Sequence, residues 1–189
     1  MNLFILDENP CVAAMYHCDK HVVKMHTEAI QMLVECLNEY GVEHDVRNAS
    51  GLIHAGGYRY HPVTLWVQQR PQNWEWTVSY AGALCGQHKR RFGNWPVSYY
   101  QLQEIRKFRW IVHAMMVCRQ ELFRGEPFTR KERVMFFEER TPFVQAMPDN
   151  FKQPDAVEAY RAYYIGAKKF ASWEKGVDAP EWYLKSFSE

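Results

Sequence analysis

Six polar residues in the N-terminal third of the chain have a spacing that could serve acid–base chemistry. They follow one another at intervals of four, three, four, three and four residues: His17, His21, Lys24, Glu28, Gln31 and Glu35. Residues at this spacing lie on one face of an α-helix. Two imidazoles and an amine beside a carboxylate perturb one another's ionisation, as an acid–base site requires. A solvated helix face, with Lys24 and Glu28 as a simple ion pair, is the alternative interpretation.

A second candidate feature is the segment 57–62, which places Arg59 and His61 at the entrance of a predicted helix. The free N–H groups and the dipole of a helix N-terminus favour anions such as phosphate. A second basic cluster contains Arg90 and Arg91, which could also hold phosphates. A capped loop with packed tyrosines and a solvated helix face are the alternatives for these two segments.

A long helix is predicted to carry the polar stripe. Asn9 and Pro10 are typical of an N-cap and a first helical residue, and helical character continues to Tyr40, where Gly41 would end the helix. A helix of this length favours a break, which we expect near residues 17–19.

Four further helical segments are predicted after a loop at 41–57. They start at Pro62, at Pro71 (to about residue 91), at Val97 (to 123) and after an Asp155 cap (to about residue 169). No stretch shows the sustained two-residue alternation of strands. The apolar segment 2–6 could be a strand or an extended tail laid on the core. We therefore predict a compact, all-α, single domain over 1–189, with about five helices and a short extended N-terminal segment.

Composition limits the class of protein. A chain of 189 residues with 47% hydrophobic residues suits one domain with a real core. Its five cysteines lack CxxC spacing, which argues against a disulfide framework or a zinc ribbon. The N-terminus does not resemble a signal peptide and no apolar run would span a membrane, so we expect a cytoplasmic protein. The net charge of +1 neither supports nor excludes nucleic-acid binding.

The first predicted helix resembles that of the T-even phage pyrimidine-dimer DNA glycosylases. Asp19 and His21, two residues apart, and Glu28, seven residues after His21, are similar to an Asp-x-His and a later Glu in that family. The segments 1–6 and 58–62 are similar to its bacterial relatives. Over most of its length the chain is also similar to a group of uncharacterised phage proteins, through the blocks 18–25, 147–148, 158–164 and 180–182.

The resemblance implies a compact all-α enzyme that acts on a DNA base and needs no cofactor or metal. In that family the N-terminal α-amine attacks the sugar C1′ and forms a Schiff base as the base leaves, and β-elimination then nicks the strand. Carried over to this chain, Glu28 matches the residue that stabilises the intermediate, and Asp19 and His21 match its neighbours. DNA, either damaged or carrying modified phage bases, is the implied partner.

The nucleophile is expected to be an amine close to Glu28. Because Asn2 disfavours removal of Met1, the first candidate is the α-amine of Met1, which has a pKa near ~8 and is partly neutral at pH 7. Lys24, one turn before Glu28, is the second candidate. We expect Met1 or Asn2 to converge on one pocket with His21, Lys24, Glu28, Arg59 and His61. The residues expected to bind the substrate are His17, Asp19, Arg59, His61, Arg90 and Arg91.

Two functions of other classes remain open from the sequence. In a metal-dependent hydrolase, His17 and His21 would share a metal ion, with Glu28 or His61 as a third ligand. In a non-enzymatic phage or host protein-binding factor, exposed tryptophans would act as anchors. The candidate anchors are Trp74, Trp76, Trp95, Trp110 and Trp182.

Overall fold

A computed structural model of the chain describes residues 2–187. Those residues form nine α-helices and one 3-10 helix: α1 Pro10–Tyr16, α2 Asp19–Glu39, α3 Pro62–Val67, α4 Pro71–Phe92, α5 Val97–Arg106, α6 Arg109–Arg124, α7 Arg130–Glu138, the 3-10 helix Asp149–Phe151, α8 Ala156–Ala167 and α9 Glu181–Lys185. The all-α class is confirmed, although the helices are more numerous than expected. Over the same residues, no helix combines the length and apolar character needed to cross a membrane.

The first predicted helix is divided in two, as expected. The side-chain oxygen of Asn9 accepts hydrogen bonds from the first backbone N–H groups of α1. His17 and Cys18 then have extended backbone dihedrals, and α2 begins after them. His17 therefore precedes α2 and does not lie on its face, which shortens the predicted polar stripe by one residue.

The segment predicted as one helix over 97–123 also forms two helices. The chain tightens at Lys107 and Phe108, whose backbone N–H groups donate to carbonyls three residues earlier. Both helices contact α4, so the break lets each one bury its own apolar residues there. Helix α7, which was not predicted, begins with a reciprocal capping box between Thr129 and Glu132.

The core surrounds α2 and α4, which form the most extensive helix pair of the described residues. The segment 2–6, predicted as either a strand or an extended tail, is an extended tail that is buried on this core. Trp74 and Trp76 are also buried, which corrects their prediction as exposed anchors, whereas Trp95 and Trp110 are exposed. Full burial of a large apolar side chain contributes roughly 1.5–3 kcal/mol, so the tail is an integral part of the fold.

Candidate active site

A cavity of about 420 Å³ opens where the N-terminal segment crosses α2. Its lining comes from the tail, from the first half of α2 and from the C-terminal third of the chain. The lining residues are Asn2, Phe4, Lys20, His21, Lys24, Glu28, Ala146, Tyr163, Lys168 and Phe170. The structure therefore brings together four of the residues predicted to converge: Asn2, His21, Lys24 and Glu28.

Glu28 is the centre of the polar contacts in this cavity. One carboxylate oxygen, Oε2, accepts a hydrogen bond of 2.7 Å from the backbone N–H of Asn2. The other, Oε1, lies 3.0 Å from Nζ of Lys24, and only 10% of the Glu28 side chain is exposed. Hydrogen bonds to a shielded carboxylate are stronger than those in water. Glu28 is thus positioned to exchange a proton with a group at the Asn2 nitrogen or to balance positive charge there.

The Asn2 side chain holds its own backbone in this position. Its Oδ1 accepts hydrogen bonds from the backbone N–H groups of Leu3 (2.8 Å) and Phe4 (3.2 Å), and its Nδ2 donates to the carbonyl of Ala146 at 2.7 Å. Phe4 has a φ of +48°, a left-handed conformation that few non-glycine residues adopt. The resulting turn directs the Asn2 nitrogen toward α2.

His21 forms part of an aromatic wall on one side of the cavity. Its ring stacks on Phe4 at a centroid distance of 4.7 Å and meets Tyr164 and Phe170 edge-on at 5.0 and 5.3 Å. Burial, followed by the charges of Lys168 and Lys24, lowers the pKa of His21 to about 3. The imidazole is therefore neutral at pH 7, and its buried Nδ1 has no hydrogen-bond partner among residues 2–187.

His17 lies under the N-terminal segment and is completely buried. The Tyr80 hydroxyl donates to the carbonyl of Leu3, so Nε2–H of His17 is the donor to the Tyr80 oxygen, at 2.6 Å. Burial holds the pKa of His17 well below its usual range. This residue fixes the tail to the core, and it is not among the described residues that line the cavity.

Asp19 and Arg91, both predicted to bind the substrate, instead bind each other. The buried Arg91 guanidinium lies 3.1 Å from the Asp19 carboxylate and donates to the carbonyls of Met15 and His17. The second carboxylate oxygen of Asp19 accepts from the backbone N–H of Glu174 at 2.7 Å. These contacts join α1, α2, α4 and the C-terminal segment, and neither residue is among the described residues that line the cavity.

The residues of the 57–62 loop separate in space. Arg59 pairs with Glu39 at 2.7 Å, about three turns or ~16 Å further along α2 than Glu28. This position corrects the prediction that Arg59 shares the Glu28 pocket. His61 caps α3, and its Nδ1 accepts from Val63 N–H at 3.2 Å. Burial lowers the pKa of His61 and the Glu28 charge opposes that shift, but His61 is not among the described residues that line the Glu28 cavity.

Two further predictions concern Arg90 and metal ligands. Arg90 is exposed in the last turn of α4, next to the buried Arg91. Within the described part of the chain, no group of three or more His, Cys, Asp or Glu side chains is arranged to hold a metal ion.

Comparison with known proteins assigns the N-terminal half of the chain. A family model described as pyrimidine dimer DNA glycosylase matches residues 1–95, just over half of the 189 residues. The chain belongs to this family. The match includes α1 to α4, and therefore Glu28 and its partners on α2. No curated protein and no solved structure matches the chain.

Several residues of the cavity were missed because they lie beyond the segment that resembles the glycosylase family. Lys168 contacts the Tyr163 hydroxyl at 3.2 Å, and its Nζ lies 5.1 Å from the centre of the Phe4 ring. No sequence pattern links this region to α2. Lys20 could have been found, because it precedes Lys24 by four residues and therefore shares its helix face.

Proposed function

We propose that this chain is a DNA glycosylase whose N-terminal α-amine is the nucleophile and whose Glu28 handles the proton and the developing charge. One observation carries this proposal: the Asn2 nitrogen lies 2.7 Å from Glu28 Oε2, at the wall of an open cavity. Membership of the pyrimidine dimer DNA glycosylase family supports DNA with dimerised pyrimidines as the substrate.

The nucleophile in this proposal is the α-amine of Asn2, so the proposal requires that Met1 is removed even though Asn at position 2 disfavours its removal. With Met1 attached, the Asn2 nitrogen belongs to a peptide bond, where its lone pair is delocalised. Removal of Met1 would leave a free amine at the same place, and the reference pKa of an α-amine is about 8. The earlier candidate, the Met1 amine, lies outside the described residues. Lys24 is less suitable, since a lysine side-chain amine has a higher reference pKa than an α-amine and a smaller neutral, nucleophilic fraction at pH 7.

The proposed reaction has two steps. In the first, the neutral amine forms a bond to C1′, the glycosidic bond breaks, and the base departs with that electron pair and takes up a proton. Glu28 accepts the proton that the amine loses and passes it to O4′ as the sugar ring opens, which leaves a cationic Schiff base beside the carboxylate. In the second, a proton leaves C2′ and the 3′-phosphate departs. Water then hydrolyses the Schiff base and restores the amine.

The rest of the cavity suits a nucleotide that has been turned out of the helix. Lys20, Lys24 and Lys168 provide positive charge for phosphates, although the whole chain carries only +1. The rings of Tyr163 and Phe170 offer faces on which a base could stack. The polar and aromatic groups are thus combined as base excision requires.

Borohydride trapping tests the proposal directly. Reduction of the Schiff base with DNA that contains an abasic site should give a covalent adduct, and peptide mapping should locate it at Asn2. Lys24→Ala should still form the adduct, whereas acetylation of the α-amine should abolish it. Protein shown by mass spectrometry to lack Met1, yet giving no adduct, would contradict the proposal, and an adduct on Lys24 would overturn the choice of nucleophile.

A further inference from the structure

Exposed aromatic rings are grouped at the turn between α4 and α5. Three of them lie in this turn and in the first turn of α5: Trp95, Tyr99 and Tyr100. The rings of Trp95 and Tyr99 are stacked at a centroid distance of 4.1 Å, and Tyr99 meets Tyr100 edge-on at 5.4 Å. Trp95 is 39% exposed and Tyr100 is 62% exposed. Single exposed aromatic residues are common on protein surfaces, whereas a contiguous group marks a binding surface.

Positive charge surrounds these rings and is not neutralised within the described chain. No Asp or Glu occurs between Glu75 and Glu104, and these two carboxylates pair with Arg109 and Lys107. Three exposed cations lie close to the rings, and none of them makes an ion pair with a residue of 2–187: Lys89, Arg90 and Arg106. The surface therefore carries a local excess of positive charge, although the whole chain carries only +1.

The turn that carries Trp95 is held by two basic side chains of α4. Nζ of Lys89 donates to the carbonyl of Gly93 at 2.6 Å, which leaves its charge and its other two N–H groups free. Nδ1 of His88 donates to the carbonyl of Asn94 at 3.0 Å. Gly93 has a φ of +84°, which suits glycine. A surface that is ordered before binding loses less conformational entropy on association.

The cations and the rings share one surface. Tyr99, Gln103 and Arg106 follow one another at intervals of four and three residues, so Arg106 lies on the same face of α5 as Tyr99. A Cβ at Gly82 of α4 would lie 3.0 Å from the Arg106 guanidinium. Lys89 follows Gly82 by seven residues and shares its helix face. Lys89 and Arg106 are therefore at opposite ends of the aromatic group, roughly 10 Å apart along α4.

We propose that this surface binds single-stranded DNA, with bases stacked on the rings and phosphates held by the cations. The α4–α5 patch, as we name it, consists of Lys89, Arg90, Trp95, Tyr99, Tyr100 and Arg106. Every unpaired base can stack on an aromatic face, whereas the bases of a duplex are stacked on one another. Cations without carboxylate partners supply the phosphate contacts. An acidic peptide would satisfy the cations but would leave the aromatic faces unused.

The patch lies on the side of α2 that faces away from the Glu28 cavity. On that side the ring of His26 contacts the ring of His88 (5.3 Å between centroids), and Nδ1 of His26 lies 2.8 Å from the hydroxyl of Ser98. Glu28 follows His26 by two residues, which places it about 200° further around the helix. The described residues that line the cavity include none from the patch. This proposal is therefore independent of the glycosylase proposal, and a failure of borohydride trapping would leave it standing.

Fluorescence anisotropy with a labelled oligothymidylate tests the patch. Wild-type protein should bind this single strand, and Trp95→Ala should raise the Kd by about 10-fold, because a stacked base loses its support. Tyr100→Ala changes a more exposed ring and should raise the Kd by about 5-fold. Trp110→Ala is the matched control: it removes another exposed tryptophan beside an arginine and should leave the Kd unchanged. Circular dichroism would show that the variants stay folded.

Salt dependence tests the role of the cations. A double variant, Arg90→Gln with Arg106→Gln, should reduce the slope of log K against log salt concentration by about 1.4, or ~0.7 for each lost phosphate contact. No binding of oligothymidylate by the wild-type protein, an unchanged Kd in both Trp95→Ala and Tyr100→Ala, or an unchanged slope in the double variant would each overturn the proposal. A loss of duplex binding as large as that of single-strand binding in Trp95→Ala would overturn the choice of single-stranded DNA.

Discussion

Glu28 and Glu39, two acidic residues of α2, differ in what they contact. The two oxygens of Glu28 bind two different nitrogens, one from the peptide backbone and one from a side chain on the same helix. Glu39 also accepts two partners, but both are exposed arginines on the surface. Shielding from water is what makes a carboxylate effective against a charge that develops in a reaction. Glu28 alone of these two combines that shielding with the lining of a cavity.

Replacement of Glu28 by Gln should remove turnover but keep most of the affinity for DNA, since shape is retained and only the charge is lost. We expect base excision from ultraviolet-irradiated duplex DNA to slow by about 10²–10⁴-fold, the usual range for a lost acid–base group. Single-turnover excision and a separate binding titration would measure the two effects.

Glu35→Gln is the matched control for Glu28→Gln. Glu35 is a buried carboxylate on the same helix, two turns away, and is not among the described residues that line the cavity. This variant should excise at close to the wild-type rate. Equal losses in the two variants would indicate a general effect of buried charge on α2 and would contradict the specific role of Glu28.

At the scale of the elements, the loop 41–61 depends on a close approach to α2. Gly56 has a φ of +74°, and a Cβ there would lie only 2.9 Å from Cα of Glu35. A side chain at this position would therefore push the loop away from the helix. The same loop ends at His61, the cap of α3.

Gly56→Ala should destabilise the protein more than Gly51→Ala. Both glycines have positive φ, so both substitutions carry a backbone strain of roughly 1 kcal/mol. Only at Gly56 does the new methyl group meet the backbone of α2, because a Cβ at Gly51 meets no described atom within 4 Å. Urea unfolding would measure the free energy of unfolding of each variant. Equal losses of stability would contradict the prediction, because they would show that the loop can move away from α2 without an energetic penalty.

At the scale of the whole molecule, the interior contains imidazoles that must stay neutral. Burial lowers the pKa of His26 to about 4 and that of His21 to about 3, and it holds the pKa of His17 well below the usual value of 6.5. The Nδ1 atom of His26 lies 2.8 Å from the hydroxyl of Ser98, which ties α2 to α5. In the unfolded chain these rings would take up protons near pH 6.5.

Stability should therefore fall as the solution is acidified from pH 7 to pH 5. In that window the unfolded state binds protons that the native state does not, and each such group lowers the free energy of unfolding by up to ~1.4 kcal/mol per pH unit. Urea unfolding at several pH values would measure the slope. His26→Gln should make the slope shallower, because the unfolded state then binds about one proton fewer in this window. An unchanged slope in that variant would contradict the conclusion that His26 stays neutral in the folded protein. The pKa of Glu35, which burial raises, acts in the opposite sense.

The sequence by itself determined the features that depend on neighbours a few residues apart. The helical class, the Asn9 and Asp155 caps and the break before α2 follow from local capping and periodicity. The same periodicity placed His21, Lys24 and Glu28 on one helix face. Periodicity wrongly predicted a single helix over 97–123. Helices α5 and α6 both pack on α4, so the apolar spacing continues although the chain changes direction between them.

Only the tertiary structure decided which polar residues face the cavity. Buried structural networks and reactive sites draw on the same residue types, so Asp19 and Arg91 could not be told apart from site residues until their mutual pair was seen. Lys168 reaches the cavity through packing of the C-terminal third against the N-terminal tail, a contact between residues distant in sequence. The Asn2 nitrogen likewise meets Glu28 because burial of the apolar tail, and no local pattern, brings the start of the chain across α2.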